Sequence, residues 1–143
     1  MRMKKSPTPI PPSGLGLAMP KPLMWIASSR DDIGAVPKDV QRTFGFALRL
    51  AQMGGKHPDA KLLRGFGGAG VLEVVANDDG DTFRAVYTVR LADRVYVLDV
   101  FQKKSKTGIA TPKPDMDRIK SRLKRAEQDH ENWVEANRKD TKP

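Results

Sequence analysis

Residues 71–101 confine the chain more tightly than any other stretch. Val71–Ala76, Thr82–Arg90 and Arg94–Phe101 are rich in β-branched and aromatic residues, which suit a pleated, half-buried surface. Only Asn77–Asp81 and Leu91–Asp93 separate them. Connections that short cannot carry a crossover, so the three runs are antiparallel neighbours. Asp79-Gly80 is the expected corner of the first hairpin, because a two-residue turn needs positive φ there.

The flanks supply the rest of the domain. Residues 22–28 read as a first strand, and Ser29 with Asp32 suggests a capped turn. Pro37 suits the first position of a helix. Val40, Phe44, Ala47, Leu48 and Ala51 then recur at helical spacing, and Gly54-Gly55 supplies a left-handed stop. A last helix carries Ile119, Leu123, Ala126 and Trp133 on one face; Arg118, Lys120, Arg122, Lys124 and Arg125 make the other face charged. The expected order is β-α-β-β-β-α: an α+β fold, one antiparallel sheet with helices packed on it. Residues 1–21 read as a disordered basic Pro/Gly-rich arm, 22–135 as the domain and 136–143 as a frayed tail.

Charge narrows the partners. The 143 residues carry a formal net charge of +9, and a small basic domain attracts polyanions by displacing counterions from phosphates. There is no cysteine, so disulfides and thiolate–zinc sites are excluded. Pro7, Pro9, Pro11 and Pro12 occupy the place of a signal peptide's apolar core. No run approaches the roughly 20 apolar residues of a bilayer span. The expected location is the cytoplasm, without a membrane partner.

Several motifs dissolve on inspection. Gly65–Gly70 matches G-x-G-x-x-G but leads into a strand, whereas a dinucleotide site opens a helix. Asp78, Asp79 and Asp81 lack the remaining ligands of a calcium loop. His57 and His130 are the only histidines and lie in different elements; His57, in a loop near basic residues, is a proton-transfer candidate.

The basic set is more informative. Arg84 lies within an apolar strand, where an arginine needs a groove or a carboxylate such as Glu73. Lys103, Lys104 and Lys106 follow the last strand, and the adjacent strands can bring Arg84 to Lys103 and Lys104. Such a cluster can stabilise the charge of a reacting phosphate. A salt-bridged arginine beside a solvated lysine loop is the alternative reading. Lys61 and Arg64 precede the sheet as further cations.

The stretches Leu63-Arg64-Gly65, Gly70–Val74, Thr82–Val89, Val97–Gly108 and Thr111-Pro112-Lys113 occur in an order and spacing that resemble a known family. From about Lys21 to Trp133 the chain resembles the phage-derived, HigB-like branch of the RelE/ParE toxin superfamily. The resemblance implies a RelE-like fold and a cytoplasmic bacterial toxin that cleaves mRNA on the ribosome. It also implies inhibition by a helix-turn-helix, HigA-like antitoxin.

In such chemistry the RNA 2′-hydroxyl attacks the adjacent phosphate, without metal or cofactor. By position, Arg84 matches the strand arginine at the scissile phosphate, and Lys103 and Lys104 match a catalytic basic pair. Lys61, Arg64 and Lys106 would line the RNA groove, with Phe101 or Tyr87 stacking on a base. Relatives commonly carry His where this chain has Asp99, and often Arg in place of Val75. Asp99, like His57, is therefore a proton-transfer candidate. The rival readings are a gyrase-directed toxin, as ParE relatives are, and a decayed module that binds RNA or antitoxin without cleavage.

Overall fold

The computed structural model describes residues 19–68, 70–103 and 111–140. Its elements are β1 (Leu23–Trp25), α1 (Ser29–Ala35), α2 (Lys38–Gln52), β2 (Lys61–Leu62), β3 (Val71–Asp78), β4 (Asp81–Thr88), β5 (Val95–Lys103) and α3 (Lys113–Asp140). The five strands form one sheet in the order β1-β5-β4-β3-β2. The α+β class, the meander and the two long helices agree with the sequence reading.

β3 and β4 pair from Val71↔Thr88 to Asp78↔Asp81. Asp79 (φ 51°) and Gly80 (φ 86°) make the corner, with the two positive φ values of a type I′ hairpin. Alternate residues then go to opposite faces. Leu72, Val74, Phe83, Ala85, Tyr87, Val95 and Val97 join the apolar face of α2, centred on Phe44, in one core. Val71, Val86, Tyr96 and Leu98 meet Ile119, Leu123 and Ala126 of α3 in a second core on the other face.

One irregularity positions the site. Val86 pairs with Asp99 but Tyr87 pairs with Val97, which leaves Leu98 as the extra residue of a β-bulge. Val97 and Val100 thus both reach the α2 core, three residues apart. Leu98 lies in the α3 core and Asp99 bonds to α3 side chains. The bulge turns a carboxylate toward the helix.

Four details differ from the sequence reading. β1 runs parallel to β5, so the sheet is mixed; α1 and α2 carry the chain away before β5 returns beside β1. α1 and the two-residue β2 are too short to register as a periodic pattern. Ser28, not Ser29, donates to Asp32 Oδ2 (2.7 Å); Ser29 is buried and donates to the Val97 carbonyl (3.2 Å). Pro37 stands just before the first helical residue, Lys38.

Both helix ends have a local cause. At the end of α2, Gly54 (φ 87°) follows Met53, and the Gly54 and Gly55 amides donate to the Ala51 and Leu50 carbonyls in a Schellman pattern. α3 continues to Asp140, past residue 135. Its far half is fastened by Arg94, which lies 4.4 Å over the Trp133 ring and donates to Asp129 Oδ2 (3.2 Å). Of the proposed arm, residues 1–18 lie outside the described residues; Lys21 exchanges hydrogen bonds with Gln52. Among the described residues no helix is long and apolar enough to cross a membrane.

Candidate nucleic-acid interface

Residues paired across antiparallel strands share a face, so the register lays out the α3 side of the sheet in rows. One row is Lys61, Glu73, Val86 and Asp99. The next is Val75, Arg84 and Phe101; the third is Asn77, Thr82 and Lys103. α3 covers Val86 and Asp99 of the first row, while Val75 is exposed and Phe101 and Lys103 are half-exposed. Arg84, Phe101 and Lys103 are therefore neighbours beside the start of α3, as the adjacent strands suggest.

Arg84 itself lies beneath that surface. Its side chain is 4% exposed and its Nη1 donates to Glu73 Oε2 (2.5 Å) and Thr111 Oγ1 (3.1 Å). The carboxylate partner anticipated for a mid-strand arginine is Glu73. The pair joins β3, β4 and the segment leading into α3.

Asp99 is held more completely. It is 2% exposed; Arg118 Nε donates to its Oδ2 (2.7 Å) and Arg122 Nη1 to its Oδ1 (3.0 Å). Arg118 Nη2 also donates to Asp115 Oδ1 (2.7 Å), and Arg122 Nη2 to Ser28 Oγ (3.2 Å). Burial raises the Asp99 carboxyl above the ordinary aspartate range, against the opposing pull of Arg118 and Arg122. The Arg118 guanidinium lies 5.3 Å over the Phe101 ring. These groups line an open cleft of about 620 Å³ along the part of β5 beyond its pairing with β1, bounded by Ser28, Asp32 and Pro112.

The remaining candidates separate. Lys61 and Arg64 are exposed, on β2 and in the turn after it. That turn packs against α3: a Cβ on Gly65 would stand 3.0 Å from Met116 Cε. Lys104 and Lys106 lie outside the described residues. His57 is buried on the α2 side, its Nδ1 accepting the Asp59 amide (3.0 Å) and its ring edge-on to Phe46. The sheet stands between His57 and Arg84, so the two do not converge. Tyr87 is a core residue, 1% exposed in the α2 cluster and closed to a base.

Sequence reasoning missed Arg118, Arg122, Asp115 and Ser28. The signal was Asp99: a carboxylate within an apolar strand requires a cation, as Arg84 required Glu73. Among the described residues no group of three His, Cys, Asp or Glu side chains is placed to hold a metal ion.

The family described as phage derived protein Gp49-like (DUF891) matches residues 31–124. The match covers about two thirds of the chain and includes every residue of the rows and, apart from Ser28, of the cleft just described. The chain belongs to this family. Gp49-like proteins belong to the RelE/HigB-like toxin–antitoxin superfamily and are generally toxin-like, and membership implies an antitoxin partner. No curated protein matches the chain.

Proposed function

We propose that this protein is a toxin that cleaves mRNA on the translating ribosome, and that it works on the sheet face beside the start of α3. The observation that carries the reading is the alignment of Arg84, Phe101 and Lys103 on neighbouring rows of one partly uncovered face. Exposed Lys61 and Arg64 extend the basic surface toward β2, where an RNA backbone is neutralised by cations.

The reaction needs no group from outside the protein and RNA. The ribose 2′-oxygen forms a bond to phosphorus, the P–O5′ bond breaks, and the proton lost by the 2′-hydroxyl is replaced on the leaving 5′-oxygen. Lys103, with Lys104, stabilises the charge that develops on the phosphoryl oxygens. Arg84 serves as a positioning residue: it fixes Glu73 and Thr111 and adds a positive charge under the groove. Asp99 is unsuited to proton transfer because both its oxygens accept from arginines, and His57 is on the wrong side of the sheet. The proton passes through a lysine of the basic cluster.

Lys61, Arg64 and Lys106 hold the RNA backbone. The domain is assigned to residues 22–135, and the partner that silences it to a helix-turn-helix antitoxin covering this face. Purified protein with translating ribosomes tests the reading. Fragments ending in 2′,3′-cyclic phosphate and 5′-hydroxyl, lost in Lys103→Gln, are expected. Intact mRNA together with inhibited DNA supercoiling would move the target to gyrase.

A further inference from the structure

The geometry points to the cleft along β5 as the seat of an unpaired nucleobase of the substrate, with Arg118 as its stacking surface. This rests on the reading of the adjacent face as an RNA site. Three observations lead to a base rather than a phosphate.

The first is the state of Arg118. Its Nε and Nη2 are engaged, in the plane of the guanidinium, by Asp99 and Asp115. One face of that plane lies over Phe101. The side chain is nonetheless 36% exposed. An arginine held this way is a preorganised flat surface, and guanidinium planes stack on bases as aromatic rings do. Phe101 then acts from beneath, setting the plane of Arg118.

The second is charge. The cleft is lined by Arg118 and Arg122 but by Asp32, Asp99 and Asp115. The carboxylates outnumber the guanidiniums, so this cleft does not favour a phosphate, whereas the neighbouring Lys103 does. Backbone and base are thereby directed to adjacent places.

The third is unused acceptor capacity. Asp32 accepts from Ser28 on Oδ2 and Asp115 accepts from Arg118 on Oδ1. Their other oxygens have no hydrogen-bond partner among the described residues. A base whose edge presents N–H donors satisfies such oxygens, and guanine presents two adjacent ones. The volume of about 620 Å³ accommodates a nucleotide.

The test uses the full chain and fluorescein-labelled eight-nucleotide 2′-O-methyl RNA of mixed sequence, whose blocked hydroxyls prevent cleavage. A set of oligomers has one abasic residue each, at successive positions, and binding is followed by anisotropy. For the wild type, one position is expected at which base removal weakens binding about 5- to 150-fold, the range of a single stacked base. In Arg118→Lys and in Phe101→Leu, which keeps apolar volume, the same removal is expected to change binding less than about 3-fold.

Thermal unfolding of each variant checks that it is folded, and Phe101→Leu decides the matter if Arg118→Lys is not. Equal sensitivity in wild type and folded variants overturns the base site, as does insensitivity at every position. RNA binding that persists in either case leaves the RNA face standing. Absence of binding to every oligomer overturns the base site, and the ribosome cleavage assay then decides the RNA face on its own.

Discussion

The two buried carboxylate–arginine pairs answer the same problem in different ways. Arg84 and Glu73 lie on adjacent strands, and neither can lose its partner without leaving a buried charge. Arg84→Ala is therefore expected to lower unfolding free energy by about 3–5 kcal/mol, measured by urea titration. Loss of toxicity in that variant would not separate chemistry from folding. Lys103→Gln does separate them: stability is expected to fall by no more than about 1 kcal/mol and cleavage by about 100-fold. Tyr87 presents the opposite case, a buried hydroxyl with no hydrogen-bond partner among the described residues. Burial pushes its pKa up to about 12 from an ordinary 10.0. The native state thus keeps this proton to higher pH than the unfolded chain, and stability falls as pH rises from 10 through 12. Tyr87→Phe is expected to remove that part of the alkaline loss. At pH 7 it is expected to raise stability by about 1 kcal/mol in the same titration.

At the scale of elements, the bulge at Leu98–Asp99 and the turn of α3 that faces it form one device. The bulge delivers Asp99 to Arg118 and Arg122, and through them fastens α3 to β5. Asp99→His places a ring among guanidiniums that have lost their carboxylate. It is expected to cost on the order of 3 kcal/mol and to leave cleavage no higher than wild type. A stable, more active variant would show that position 99 belongs to proton transfer after all. The meander, the α2 stop and the Asp79-Gly80 corner were legible because local chemistry dictates them. The parallel pairing of β1, the bulge, and the capture of Asp99 by a helix 19 residues later were not. Those depend on contacts distant in sequence. Asp99 in an apolar run announced that a cation was needed, but not which one.

For the whole molecule, the sheet divides two kinds of surface. The α2 side is an apolar core closed by Phe44 and its neighbours, with His57 folded into the rim. The α3 side is a core over half its length and a charged, partly open face over the rest, because α3 starts only at Lys113. The net charge of +9 favours long-range attraction of polyanions to the chain, while family membership supplies the toxin and antitoxin context. The most direct measurement is induced expression in a bacterial host, wild type beside Lys103→Gln, with growth and mRNA 5′ ends followed together. Growth arrest with new mRNA ends inside translated codons, both lost in the folded variant, is the predicted result. Arrest without new ends, or unchanged cleavage in Lys103→Gln, would contradict it.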